Sequence, residues 1–435
     1  MKTKKILGII LAVCVLLVIA ACANDDPPAT DDPPAATDNG GDNGVVAENV
    51  TLDFWYWDIN MQEQYNLMFE YLYNETGISV EQSITPFGDY WTNLATALPA
   101  GAGPDIMWMN HPNAVNYVPS DLLLDITDFN LDMSGFVETL YEPFTYQGRL
   151  FGVPIFFDTH ALAYNKDVFD AAGVAYPPNR GWTWEEMRAT AIELTEVVNG
   201  EVMVYGLSFW FSNQSGPNNF VWQNGGELLN ADRTRFEWNT PANLEALQFW
   251  HNLVWVDGVA LNPSEMSESN GQGEMFTNNM IGMEIIGLWR VAPYHDVLGD
   301  RLGLAHLPRH THEANTFHNL AYVSSANTSF PDAVRRFMEF QTTSTAGDFV
   351  APVFIPAHSA SQHLYFENFA DINVSVFTEA MEYARPLPIA SINAGPAHTL
   401  VSQELARVFM SEVLTADLLQ SMDDTVNELL AEAGE

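Results

Sequence analysis

From residue 49 onward, apolar positions switch between two spacings along the chain. Val50-Thr51-Leu52-Asp53-Phe54-Trp55 alternates and predicts a first strand. Tyr65, Met68, Phe69 and Leu72 then share one face of a helix that stops at Gly77. Ile78 to Ile84 predicts a strand, and Trp91, Leu94, Ala95 and Leu98 predict a second helix. Asp105-Ile106-Met107-Trp108-Met109 predicts a short buried strand. Later helices carry start signals. Thr183-Trp184-Glu185-Glu186 is a capping box, followed by apolar Met187, Ala191, Leu194 and Val198. Thr240-Pro241 supplies an N-cap and a first-turn proline ahead of Leu244, Leu247, Trp250 and Val254. Ser329 caps a helix carrying Val334, Phe337 and Met338. From Thr399 the chain reads as wholly helical, with Leu418, Met422, Val426 and Leu429 on one face. Alternation of strands and helices predicts an α/β architecture.

The first 48 residues follow neither spacing. Lys2, Lys4 and Lys5 precede an unbroken apolar run, Ile6 to Ala21, which closes on Ile19-Ala20-Ala21. That order of charge, apolar run and small residues is an export signal over residues 1–21. The run falls short of the roughly 20 residues a spanning helix needs. Cys22 follows directly, the arrangement of bacterial lipoproteins, in which the thiol is acylated and becomes the new N-terminus. This predicts a chain tethered by palmitate or a related lipid to the outer face of the cytoplasmic membrane. Residues 22–48 contain Asp25-Asp26-Pro27-Pro28-Ala29-Thr30, nearly repeated at 31–37, and then Asp38-Asn39-Gly40-Gly41-Asp42-Asn43-Gly44. With no apolar face to bury, they predict a disordered acidic linker.

Composition narrows the partners. With Lys2, Lys4 and Lys5 set aside, 13 Lys and Arg face 56 Asp and Glu, a balance of −43, and Lys166 is the one lysine left. Such a charge repels nucleic acid and anionic headgroups. Cys14 lies in the signal and Cys22 at the anchor, so the folded portion has no thiol pair for a disulfide. Its length is ample for two or three domains with full cores.

A set of segments occurs in a recognisable order. Gly148-Arg149-Leu150-Phe151-Gly152-Val153-Pro154 precedes Asp158 and Tyr164-Asn165-Lys166-Asp167-Val168-Phe169. Pro177-Pro178, the 183–186 box, Tyr205-Gly206-Leu207 and Gly225-Gly226-Glu227 follow. Phe276 with Ile281-Gly282-Met283, then Gly287-Leu288-Trp289 and Leu307-Pro308, complete the series. Over residues 49–435 this resembles the extracellular solute-binding proteins of carbohydrate ABC importers, the group that includes maltose-binding protein. The resemblance implies a two-lobed periplasmic-binding-protein fold of type II, each lobe a sheet flanked by helices, with a helical C-terminal segment. Lobe 1 would hold residues 49–156 and 316–350, and lobe 2 residues 157–315 and 351–435. It also implies a monomer without cofactor or catalysis that closes around a sugar and docks on a permease driven by separate ATPases. No G-x-x-x-x-G-K-[ST] loop occurs in this chain.

Sugars present hydroxyl rims and apolar C–H faces, so they are held by flat aromatic surfaces beside donors and acceptors. Trp57 and Asp58 end the first strand, where open α/β sheets bind ligands; Trp55 reads equally as strand core. Trp108 and Asn110, with His111 after them, fall where the resembled family carries cleft residues. Asp158 lies at the first crossover, where that family often has an acidic ligand residue, and a carboxylate can accept from two vicinal hydroxyls. Trp210 and the 218–223 stretch, Asn219 and Phe220 in particular, would line lobe 2. Trp289 matches the tryptophan of the family's Gly-x-Trp segment and is the expected stacking platform, with Arg290 beside it. If Arg290 faces the cleft, an acidic sugar fits; the alternative is a surface arginine. Around 316–324 the chain departs from the family, with His318-Asn319-Leu320-Ala321-Tyr322 where a glycine pair is common; Asn319 and Tyr322 are further candidates.

Other readings are a receptor for a non-sugar polar solute, which the same clamp accommodates, and an adhesin or structural lipoprotein, which predicts no stabilisation by small ligands; two further rivals rest on particular residues. His306, His310, His312, Glu313 and His318 cluster locally and suit a metal receptor, although their spacing fits no strong motif and a solvated loop explains them. A secreted glycoside hydrolase would use similar aromatic platforms with two carboxylates flanking the bond. Neither G-x-S-x-G nor H-E-x-x-H occurs.

Overall fold

A computed structural model describes residues 50–211, 215–268, 272–390 and 394–432. The expected signal 1–21, the linker 22–48 and Cys22 lie outside the described residues. The alternating run forms β1 (Thr51–Tyr56), which buries Leu52, Phe54 and Tyr56. β2 (Ser79–Ile84) and β3 (Ile106–Asn110) flank it in parallel. A parallel pair needs a crossover; here it is the helix Gln62–Thr76, which buries Tyr65, Met68, Phe69 and Leu72 as the spacing predicts. The helix ends at Gly77, whose φ of 75° suits a residue without Cβ.

β4 (Thr145–Tyr146) and β5 (Arg149–Leu150) form a small hairpin. β6 (Gly152–Asp158) leads into β7 (His160–Asn165) with Thr159 alone between them. β7 belongs to a second sheet with β8 (Glu196–Val198), β9 (Glu201–Ser208), β10 (Ile281–Gly287) and β11 (Leu302–Ala305), in the order β11-β7-β10-β9-β8. The chain returns to the first sheet in β12 (Asn315–Ser324), which runs antiparallel to both β3 and β6. β13 (Ala384–Pro386) adds to the start of β12, giving the order β13-β12-β3-β1-β2 with β6 on β12. The helix Lys166–Ala172 follows β7, and its Lys166 Nζ donates to the Asp300 carbonyl at 2.6 Å.

The two places where the chain changes sheets touch one another. The His160 N–H donates to Asn315 Oδ1 at 2.9 Å, and Asn315 Nδ2 donates back to the His160 carbonyl at 2.7 Å. Asn315 is fully buried, so its amide replaces the ladder bonds that neither strand can make at the switch. Thr159 Oγ1 ties the same point to the Phe377 carbonyl at 2.8 Å.

Each sheet has an aromatic core. Beside β1, Trp108 Nε1 donates to Tyr65 Oη at 2.7 Å and Tyr322 Oη donates to Tyr65 Oη at 3.0 Å, all three fully enclosed. Beside the second sheet, Phe220 stacks on Trp250 with centroids 3.5 Å apart, next to Trp184. The helix Ala416–Glu432 is pinned there by Asp423, which accepts from the Trp238 and Asn239 backbone N–H groups at 2.8 and 2.9 Å. Residues 351–386 contribute to the first sheet's surroundings: Phe354 stacks on Phe156 at 3.9 Å, and β13 pairs with β12.

Four element expectations need correction. The capping-box helix is Trp184–Leu194, and Val198 belongs to β8. Val197 and Val198 are β-branched, and Asn199-Gly200 at φ 55° and 90° turns the chain into a hairpin. Ser329 is not the cap it resembles: the helix Pro331–Gln341 starts after Phe330, whose N–H is held by Thr328 Oγ1 at 3.2 Å. The C-terminal helix breaks between Ala394–Met410 and Ala416–Glu432. The last stripe is rotated by one residue, burying Leu419 and Leu430 with Met422 and Val426.

Replacing Asn315 by Ala strands the His160 N–H and carbonyl in a dry place. The Asn315→Ala protein is expected to lose about 1–3 kcal/mol of stability, read as a lower urea midpoint with an unchanged slope.

Candidate functional site

β1, β6 and β10 deliver their carboxyl ends, and β7 and β12 their first residues, to the region where the chain changes sheets. Polar side chains gather there in two linked groups. The first surrounds Asp158, 3 % exposed at the end of β6, whose Oδ1 meets His318 Nδ1 at 3.1 Å. The two residues are register partners across β6 and β12. The His318 ring lies 5.2 Å from that of His160, which in turn meets Trp289 edge-on at 5.9 Å. His160 Nε2 and Ser215 Oγ are 2.9 Å apart. Trp289 packs back over the end of β10, where a Cβ on Gly287 would collide with its ring. Thr316 Oγ1 donates to Asn219 Oδ1 at 2.8 Å.

The second group surrounds Arg290, in the turn Leu288–Arg290 that follows β10. Its guanidinium sits 5.4 Å from the Trp210 ring centroid and 5.8 Å from that of Tyr294. Tyr294 Oη donates to Glu284 Oε2 at 2.7 Å. Glu284 is wholly enclosed in β10; burial pushes its carboxyl up to about 7, against the opposing pull of Arg290 and the Tyr294 bond. Across the gap, Asp58 accepts from the Asn60 N–H at 3.0 Å. Burial raises the Asp58 carboxyl too, while Asn60 and the Arg290 charge lower it. One cation therefore lies in the field of two carboxyls from different sheets.

Several buried polar atoms in and beside these groups have no hydrogen-bond partner among the described residues: His111 Nδ1, His160 Nδ1, His318 Nε2, Asn219 Nδ2, Trp210 Nε1, Glu284 Oε1 and Arg290 Nε. Others lie in the cores, among them Trp238 Nε1, Trp250 Nε1 and Tyr365 Oη; folded chains seldom leave such atoms unsatisfied, and those near the strand ends are ones a ligand can complete. Three histidines there are held neutral. His111 is lowered to about 3 and His398 to about 4, and His160 lies well below its usual value; burial is the main cause in each, and the charge of His318 adds to it.

Of the residues singled out in the sequence, Trp57, Asp58, Asn110, Asp158, Trp210, Trp289 and Arg290 stand at or just past strand ends or in turns in this region, and Asn219 lies in the helix Pro217–Gln223. Asn110 Oδ1 is used by Asn113 Nδ2 at 2.7 Å, and Trp57 joins an aromatic group with Phe87, Tyr90 and Trp91. Trp108 and Phe220 do not reach the cleft: Trp108 points into the first sheet's core toward Tyr65, and Phe220 into the second's against Trp250. Asn319 donates to the Leu140 carbonyl and Tyr322 to Tyr65, so both serve packing. His160, Ser215, Glu284 and Tyr294 are additions that sequence reasoning missed. Glu284 was detectable as a lone carboxylate inside the apolar run Ile281–Ile286; the others depend on tertiary pairing.

The local histidine cluster disperses. His306 lies 2.6 Å from Tyr383 Oη and 2.9 Å from Glu379, Glu313 pairs with Arg180 at 2.7 Å, and His310 lies over Trp184 at 4.7 Å. No group of His, Cys, Asp and Glu among the described residues is arranged to hold a metal ion.

The profile described as bacterial extracellular solute-binding protein matches residues 58–348. The chain belongs to that family. This solute-binding protein is 26% identical over 227 residues to an arabinooligosaccharide-binding protein of Halalkalibacterium halodurans, covering 50% of this chain and 48% of the relative. It is 23% identical over 258 residues to a maltotriose-binding protein of Pyrococcus abyssi, covering 58% and 53%. The chain thus spans about half the length of these relatives. Its fold is that of an ABC substrate-binding protein of Listeria monocytogenes solved with cycloalternan, at a TM-score of 0.81 and 24% identity, covering 88% of this chain and all (100%) of that one. The Thermus thermophilus maltotriose binding protein, solved with maltotriose, superposes at 0.73 with 17% identity, covering 87% and 99%. The architecture is the type II periplasmic-binding-protein fold.

The raised carboxyl of Glu284 gives a pH signature. Its value is about 7 folded and 4.5 as a free side chain, so between those limits the folded state binds more protons than the unfolded state. Stability contributed by this site is therefore lost as pH rises from about 4.5 to 7. Glu284→Gln removes that loss. The variant should match the parent in acid and exceed it by on the order of 2–3 kcal/mol at pH 8, read from urea midpoints across pH.

Proposed function

We propose that this chain is a membrane-anchored substrate-binding protein that captures a sugar or oligosaccharide between its two sheets and delivers it to an ABC permease. The observation that carries the reading is the set of unpartnered donors and acceptors beside Trp289 and Trp210, since hydroxyls can pair with both kinds of atom while indoles cover the C–H faces. The relatives' names, arabinooligosaccharide- and maltotriose-binding, point the same way. So does the sugar bound in proteins of the same fold.

In this reading the first sheet is the heart of lobe 1 (49–156 and 316–350) and the second of lobe 2 (157–315 and 351–435), except that residues 351–386 go with lobe 1, whose sheet β13 joins, and the crossing at His160 and Asn315 is the hinge. Ligand binding shifts an open–closed equilibrium, and the permease reads the closed form. The tether is the acylated Cys22, with residues 22–48 as its linker. Among the described residues no helix is long and apolar enough to cross a membrane. The protein works as a monomer, without cofactor and without catalysis. Arg290 already lies in the field of two carboxyls, Asp58 and Glu284, which favours a neutral ligand over a uronate.

Thermal melting against arabino- and malto-oligosaccharides, cyclic glucans, monosaccharides and uronates tests this reading. A ligand at about 100 times its Kd adds roughly 2.7 kcal/mol; no stabilisation by any sugar would end it. Trp289→Ala should weaken the best ligand by about 2 kcal/mol or more in calorimetry. A folded variant with the parent's affinity would remove Trp289 from the site.

A further inference from the structure

We propose that His318 reads a hydroxyl of the ligand through Nε2, and that Asp158 acts through His318, as the positioning residue that fixes the imidazole, rather than by touching the sugar itself. The proposal rests on the reading of the cleft as a sugar site.

A carboxylate can only accept, so the 3.1 Å contact between Asp158 Oδ1 and His318 Nδ1 puts the hydrogen on Nδ1. In the neutral ring, Nε2 then carries the lone pair. That atom is buried and has no partner among the described residues. It belongs to a row of rings, His318, His160 and Trp289, at 5.2 and 5.9 Å spacing, so a hydroxyl donating to His318 comes from a molecule lying near the indole. Asp158 is enclosed to 3 % exposure, and its Oδ1 is held by the histidine.

Groups from several elements surround His318. Asp158 faces it from β6 and His160 from β7. His111, from the helix His111–Tyr117, and His398, from the helix Ala394–Met410, are held low mainly by burial. The helix Pro217–Gln223 contributes the neutral Asn219 beside Thr316. Arg385 of β13 is taken up by Glu227 at 2.8 Å, and Glu382 by Arg180 at 3.0 Å. A His318 ring with its hydrogen on Nδ1 and a bare Nε2 is the form competent to bind.

The test uses the full chain labelled with ¹⁵N-histidine, the His318 signals being those missing from His318→Gln. At pH 8 the ring should be the neutral Nδ1–H tautomer, and Nε2 should shift when maltotriose or arabinotriose is added. An Nε2–H tautomer or an imidazolium at pH 8 overturns the proposal. His318→Gln should weaken binding of the same two sugars at pH 8. Asp158→Asn should weaken binding in the parent and change little when His318 is already Gln, since the pair acts as one unit. If His318→Gln keeps the parent's affinity while sugar still binds, the proposal fails and the sugar reading stands. If neither sugar nor any other carbohydrate binds, the sugar reading itself fails and takes this proposal with it.

Discussion

The amide of Asn315 grips the N–H and the carbonyl of His160, and with them the point where two strands exchange sheets. Strand backbone that leaves its sheet loses its ladder partners, and a buried, unbonded peptide group is costly. A side chain able to donate and accept at once meets both needs in one place. The consequence reaches the cleft through register. With Asn315 and His160 fixed, His318 falls opposite Asp158, and a slip of one residue would send each side chain to the other face.

The two cores and the space between them are built to different rules. In the cores, some hydroxyl and indole groups find partners, as in the Trp108–Tyr65–Tyr322 chain, and rings stack flat, as Phe220 does on Trp250, although the Trp238 and Trp250 indoles and the Tyr365 hydroxyl have no partner among the described residues. Between the sheets, the leftover donors and acceptors include histidine, amide and charged groups, and charges of both signs are held close without full compensation. Natural chains tolerate such local violations where function requires them. The energy that Glu284 and Arg290 cost the fold is consistent with a surface designed to be completed by something else.

Much of the fold was legible because periodicity reports burial directly. Tyr65, Met68, Phe69 and Leu72 line one helix face for the reason their spacing gave. The reading failed where two signals overlapped. Val198 continued the helical spacing from Leu194, yet Val197-Val198 before Asn199-Gly200 is a hairpin signature, and the turn won. The site was legible by position and less so by role. Trp57, Asp58, Trp289 and Arg290 stand at strand ends as expected, whereas Trp108 and Phe220 face inward, on elements buried along their whole length where spacing cannot tell one face from the other. His318 was grouped with His306, His310 and His312, its neighbours in sequence. Its partner is Asp158, 160 positions away, and no local pattern carries that pairing. The same holds for Ser215 with His160, and for Arg290 between Asp58 and Glu284.

Lys166 stands at the start of a helix with its ammonium on the Asp300 carbonyl, and every other lysine of the sequence precedes Cys22. The folded portion thus offers a single side-chain amine. Apart from any α-amine, amine-directed reagents would decorate it at one address, just past the end of β7, the strand that begins at His160. A dye, a cross-linker or a surface attachment placed there would be chemically uniform without any engineered residue, and every molecule would be held by the same shoulder.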